Sequence, residues 1–238
     1  MIRRHHPRQH GSRDPEQAGI AMRQRMERLL AARGLTPEHV LDEEPEQQAD
    51  ALELAEGRIP PRYRHAQADH PEVATWVKQV TLAARPGPGS TRGIATGPSL
   101  LIAGPTGVGK TYQAYGAVRS LLQAGVRLRW QVITAADLYA AQRPRQGHDA
   151  ERDLQAMTRC PLLLVDDLGA AKASEWTEEL TYRLVNHRYE QLLPTVFTTN
   201  LPVREIRNVL GDRIASRLAE MTERAVLTGP DRRRRTTA

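Results

Sequence analysis

Gly104, Pro105, Thr106, Gly107, Val108, Gly109, Lys110 and Thr111 form the full G-x-x-x-x-G-K-[ST] phosphate-binding pattern, set between an apolar run at 100–103 and a helical stretch that Lys110 opens. No other segment restricts the fold as strongly, because the pattern works only as a strand, a glycine turn and a helix in that order. Glycines let the backbone curl so that its N–H groups face phosphates, and the helix amino terminus adds positive potential. Lys110 is then the candidate for the β and γ phosphates and Thr111 for a magnesium ion, with Tyr112 the next helical residue beside the nucleotide. Average residue usage yields the pattern by chance in about one chain in a hundred. With the flanking strand and helix in place, the segment reads as a site for ATP or GTP.

Apolar strands and helical stretches keep alternating around this turn. Strands are expected at 100–103, 129–134, 162–165 and 195–198, and helices at 110–124, 135–142 and 178–192, with a polar stretch between 142 and 156. Such alternation predicts an α/β fold, a mostly parallel sheet flanked by helices. Ahead of it, Val73, Trp76, Val77 and Val80 predict a helix over 71–84, and the Pro- and Gly-rich stretch 86–97 predicts a loop. The paired Pro60 and Pro61 resist helix and read as a linker. Further forward, apolar residues at helical spacing over 20–33 stop at Gly34, and Thr36, Pro37 and Glu38 open a second helix that runs into an acidic stretch. The expected organisation is a tail and small helical region over 1–56, a linker and lead-in helix over 57–92, and the nucleotide-binding domain over 93–238.

Composition adds bounds. A formal charge of +6 favours a polyanionic partner such as DNA, although all but Lys78, Lys110 and Lys172 of the 34 basic residues are arginines, which reflects a GC-rich genome as much as phosphate chemistry. The lone Cys160 precludes an internal disulfide and a multi-cysteine zinc module. No apolar run approaches about 18 residues and the amino terminus has no apolar signal core, so the expected setting is cytoplasmic, with no membrane association.

Three more segments carry chemistry. The strand at 162–165 ends in Asp166 and Asp167: the first is placed to hold magnesium, the second to polarise water, with the alternative that both merely cap a buried strand. The strand at 195–198 leads to Asn200, an amide placed to orient water, or an ordinary turn residue before Leu201 and Pro202. Arg213 and Arg217 lie four apart on one helix face, where they reach a neighbouring subunit's nucleotide or form a solvated basic face.

Taken in order, GPTGVGKT, LLLVDDLG, FTTNL and GDRIASRL resemble the AAA+ ATPases of the DnaC helicase-loader and IstB transposition-helper group, over about residues 57–235. Supporting fragments are Ile59 to Arg64, the run Asn186, His187, Arg188, Tyr189, and the closing Gly229, Pro230, Asp231. The resemblance implies an AAA+ fold that binds ATP and Mg²⁺ between subunits of a homo-oligomer, with Arg217 as the arginine finger, Arg213 the second candidate, and Arg233 chosen as the sensor 2 arginine among four neighbours. It also implies contact with single-stranded DNA between the second strand and the Asp166 strand, where Arg143, Arg145 and Arg152 stand but few aromatics beyond Tyr139, unless that zone is simply a solvated insertion. Asp167 departs from the family's usual glutamate, which leaves the hydrolysis rate open, and the amino-terminal region lacks the cysteines of zinc-bearing loaders. The implied activity is ATP-dependent loading of a replicative helicase, gripped through residues 1–56, onto single-stranded DNA. The alternatives are an IstB-like helper that assembles on duplex DNA and recruits a transposase, and a nucleotide-dependent scaffold with negligible turnover.

Overall fold

The computed structural model describes residues 57–86, 92–143, 149–171 and 174–232, all within one compact unit, Leu54–Ala238. The helices expected over 20–33 and from Thr36, together with Arg145 and Arg233, lie outside the described residues.

Five parallel strands form the main sheet: β1 (Ser99–Ala103), β2 (Trp130–Thr134), β3 (Leu162–Asp166), β4 (Thr195–Thr199) and β5 (Thr222–Val226). They run side by side in the order β2-β3-β4-β1-β5. β1 and β4 are buried at every position, which suits the continuous apolar runs of strands covered on both faces. The helices are α1 (Pro71–Ala83), α2 (Lys110–Gln123), α3 (Ala135–Ala141), α4 (Ala150–Thr158), α5 (Glu175–Glu190), α6 (Ile206–Leu210) and α7 (Asp212–Met221). On one face Leu163, Val165 and Phe197 meet Leu154, Leu184 and Leu218 from α4, α5 and α7. α1 and α2 cover the other face, α2 against β1 and β4 and α1 against α2 and β5.

Two elements escape the sequence pattern. α4 occupies the stretch expected to be irregular, because only Leu154, Met157 and Thr158 are buried and the other positions are polar; Asp149 caps it by accepting from the Arg152 N–H at 3.0 Å. β5 reads Thr-Glu-Arg-Ala-Val with only Ala225 buried, and it is a strand because its backbone pairs along the whole of β1. α5 starts at Glu175, three residues before the expected 178, where Ser174 and Thr177 exchange side-chain and backbone bonds in a capping box. Within the expected loop 86–97, Arg85–Pro86 pairs with Arg92–Gly93, which runs beside Val126–Arg127.

The segment read as a linker is packed. Ile59 and Ala66 are buried, Pro61–Tyr63 form one 3-10 turn, and Tyr63 stacks on Tyr115 of α2 with centroids 4.6 Å apart. Trp76 is buried as well, and its indole N–H donates to the Pro98 carbonyl at 2.8 Å.

Arg188 departs from the rule that charge stays outside. It lies on the inward face of α5 and is 0% exposed. Its Nε donates to Thr195 Oγ1, Nη1 to the carbonyls of Met157, Thr158 and Cys160, and Nη2 to that of Pro194. Burial pulls its pKa down to about 10, so it stays charged at neutral pH. The guanidinium thereby ties α5 to the end of α4 and to the segments that lead into β3 and β4.

Candidate nucleotide site

The carboxyl ends of β1, β3 and β4 meet above α2, since Ala103 is in register with Thr199 and Leu163 with Thr195. The glycine turn leaves β1 there. Gly104 has φ 154°, and a Cβ on it would stand 2.3 Å from the Leu227 carbonyl oxygen, so no side chain fits. Gly107 has φ 86°, and there a Cβ would strike the Asp231 carboxylate at 1.9 Å. Arg232 donates its backbone N–H to the Gly107 carbonyl at 3.0 Å. The segment after β5 therefore lies directly on the turn. α2 begins from left-handed Gly109, leaving its first N–H groups without carbonyl partners inside the helix.

Lys110 is only 6% exposed. Its ammonium donates to the Pro105 carbonyl at 2.9 Å and to Asn200 Oδ1 at 2.5 Å, and Asn200 Nδ2 donates in turn to Asp167 Oδ1 at 3.3 Å. Thr111 Oγ1 lies 3.1 and 3.2 Å from the two oxygens of Asp166, and Thr198 donates to Asp166 as well. Burial raises the Asp166 pKa and neighbouring Asp167 adds to the rise, while the hydroxyls of Thr198 and Thr111 and the charge of Lys110 oppose it. Asp167 sits at φ 55°, a left-handed conformation that costs about 1 kcal/mol or more for a non-glycine residue. Its backbone N–H bonds Thr198 Oγ1 at 2.9 Å, which fixes that turn, and its side chain faces the cleft.

That cleft has a volume of about 410 Å³ and is lined by Thr106, Gly107, Gly109, Lys110, Thr111, Tyr112, Asp167 and Asn200, with Arg62, Tyr63 and Arg232 added. Sequence reasoning missed the last three as site residues. Arg62 and Tyr63 belong to a fragment quoted only for its resemblance, and only the packing of the 3-10 turn on α2 brings them here. Arg232 is the last residue described, and Arg233 to Arg235 lie outside the described residues. Tyr112 lines it too, its hydroxyl donating to the His65 carbonyl at 2.8 Å.

The oxygens of Thr111 and Asp166 converge, and among the described residues there is no cluster of three or more metal-binding side chains. This donor set fits Mg²⁺, which takes one or two protein oxygens and completes its shell with phosphate and water.

Arg213 and Arg217 do not line the cleft. They stand on α7 against α5, with Arg213 stacked on Tyr182 at 3.9 Å from the ring centroid. A larger cleft of about 560 Å³ lies elsewhere, between α3 and the start of α5, lined by Tyr139, Arg143, Trp176, Thr177 and small residues. Tyr139 and Trp176 approach with centroids 6.2 Å apart. Tyr139 is buried and Trp176 exposed, so Arg143 shares the cleft with one open aromatic surface, whereas Arg152, in the first turn of α4, is not part of this cleft. Trp176 is the aromatic partner that the sequence reading lacked.

Known proteins agree with the fold and the turn. Residues 91–226 match the family described as IstB-like ATP binding protein. The replicative helicase loader DnaC of Escherichia coli K12 is 27% identical over 123 residues, covering 50% of this chain and 49% of that one. The ATP-binding protein of insertion sequence IS21 from Pseudomonas aeruginosa is 26% identical over 116 residues, 49% of this chain and 43% of that one. The chain thus spans about half the length of the curated relatives it matches. The crystal structure of the DnaC helicase loader superposes with a TM-score of 0.58 at 26% identity, over 71% of this chain and 100% of that one.

Proposed function

The chain belongs to the IstB-like ATP binding protein family, with an AAA+ fold, and from that premise we propose that it is an ATP-hydrolysing subunit that loads a replicative DNA helicase onto single-stranded DNA. One observation favours the loader over its relatives' other use: the cleft with Tyr139, Trp176 and Arg143. The exposed indole of Trp176 beside that cation, backed by buried Tyr139, suits an unstacked base on a charged backbone, and only a single strand offers its bases that way. Arg152 and Arg145 then serve the backbone.

In the nucleotide cleft, ATP phosphates lie on the N–H groups of the turn and of α2, and Lys110 exchanges its bond to Asn200 for β and γ phosphate oxygens. Thr111 and Asp166 would hold a Mg²⁺ ion, which would supply charge neutralisation at the phosphate oxygens. Asp167, held by Asn200, accepts a proton from the water that attacks the γ phosphorus as the bond to the β–γ bridging oxygen breaks. The carboxylate of Asp167 is one methylene shorter than glutamate, so turnover is slow until the assembly closes. Arg217 completes the site from a second copy, with Arg213 beside it, and Arg233 contributes from the same chain, next to Arg232, which lines the cleft. Residues 1–56 grip the helicase.

The second reading, an IstB-like helper that assembles on duplex DNA and recruits a transposase, draws on the same family match and on the IS21 relative. Co-purification with the cognate helicase separates the two. The loader reading expects capture by the full chain, loss of capture when residues 1–55 are deleted, and ATP turnover stimulated by single strands more than by duplex. Failure to capture helicase, together with ATP-dependent assembly on duplex, overturns it in favour of the helper.

A further inference from the structure

The run Asn186, His187, Arg188, Tyr189 carries family resemblance, yet the nucleotide cleft uses none of it. Arg188 faces inward, as described. Tyr182, Asn186 and Tyr189 recur at spacings of four and three and so share the opposite, half-exposed face of α5. α7 packs there, anchored by buried Ile214 and Leu218, and this sets Arg217 over the stripe. Its Nε donates to Asn186 Oδ1 at 2.7 Å, Nη2 to the Tyr182 hydroxyl at 3.2 Å, and Nη1 to the Arg213 carbonyl at 3.1 Å. The guanidinium carbon lies 4.9 Å from the Tyr182 ring centroid and 5.6 Å from that of Tyr189. Glu220 of α7 lies beside the Tyr189 hydroxyl and raises its pKa.

Two features of this arrangement exceed what packing requires. All three acceptors are neutral oxygens, so the charge of Arg217 is not spent on a carboxylate. A guanidinium has five N–H donors, and these three bonds leave one on each terminal nitrogen, the pair that grips a phosphate in bidentate fashion. Arg188 shows the contrast within the same helix turn, where carbonyls crowd the guanidinium and nothing from outside can reach it.

Resting on the reading of Arg217 as an intersubunit arginine, we propose that Tyr182, Asn186 and Tyr189 are positioning residues that hold its guanidinium in place for the γ phosphate bound by a second copy of this chain. A long side chain fixed before assembly loses little rotamer freedom when the neighbour arrives, which places the gain in turnover and not in ATP binding.

The test measures ATP turnover by the full chain at assembling concentrations. Asn186→Ala and Tyr182→Ala are expected to lower kcat about tenfold or more, with KM for ATP unchanged, and Tyr182→Phe, which keeps the ring, to lose less. Asn186→Ala copies mixed with Lys110→Ala copies, which keep the Arg217 face but lack the phosphate lysine, are expected to turn over faster than either alone. No recovery in the mixture assigns the loss to the variant's own fold and overturns the proposal. Parental turnover by Asn186→Ala and Tyr182→Ala beside a dead Arg217→Ala also overturns it, and leaves the arginine assignment standing. Parental turnover by Arg217→Ala removes both.

Discussion

Arg188 and Arg217 are both held by α5, at opposite faces and to opposite effect. Arg188 is sealed: five bonds to neutral oxygens engage it where α4, β3 and β4 come together, at the end of the strands away from the nucleotide. Arg217 is half-buried on α7, holds three neutral partners and keeps two donors. A cation sealed from solvent among five acceptors serves the fold, and one held still at the half-exposed surface with donors to spare is equipped for a ligand. The same helix thus separates stability from activity by which way each residue faces.

The sharpest way to break this comparison is Arg188→Ala. It strands several buried carbonyls at once, so we expect a loss of about 5 kcal/mol in urea unfolding, a large part of the stability of an ordinary domain. A variant that unfolds at the parental midpoint would mean that Arg188 is ornamental. Next comes Arg217→Ala, expected to cut turnover of the assembled chain about a thousandfold while unfolding shifts by less than about 1 kcal/mol; a fold defect of the size expected for Arg188 would erase the distinction.

Smaller effects sharpen the picture of the open side. Trp176→Ala is expected to weaken binding of a short single-stranded oligonucleotide about tenfold without changing ATP affinity, measured by fluorescence anisotropy. Asp166 gives a pH signature. Its raised pKa means that the folded chain without ligand binds a proton more readily than the unfolded chain, so this carboxylate lowers stability as pH rises through the folded pKa. Asp166→Asn should therefore unfold no earlier than the parent at neutral pH, with any advantage vanishing as pH falls through that window, while the added stability from Mg²⁺ and ATP is lost. Thermal scans across pH, with and without nucleotide, would show a destabilised ligand-free variant if burial were not the dominant cause.

The apolar strands were legible because they are continuous apolar runs covered on both faces, and the glycine turn because phosphate binding demands that residue pattern. α4 and β5 were not, since what makes them regular is a cap and backbone pairing, neither of which leaves an apolar signature. Lys110, Thr111, Asp166, Asp167 and Asn200 were found in sequence and converge in space because each follows a strand of one parallel sheet. Arg62, Tyr63, Arg232 and Trp176 come together with their clefts only through packing between distant segments. Arg188 was invisible for another reason: an arginine in sequence reads as surface, and nothing local announces that five oxygens await it.

The place of β1 in the sheet governs when the phosphate cradle can exist. Its neighbours are β4 and β5, and the stretch after β5 closes on Gly107. A ribosome releases β1 and α2 by residue 123 but supplies β4 near residue 195, β5 near 222 and Arg232 later still. Contacts so far apart in the chain form late. A nascent chain therefore carries the whole glycine motif from Thr111 onward without a cradle to offer, and becomes a receiver of ATP only once the residues up to Arg232 have been made.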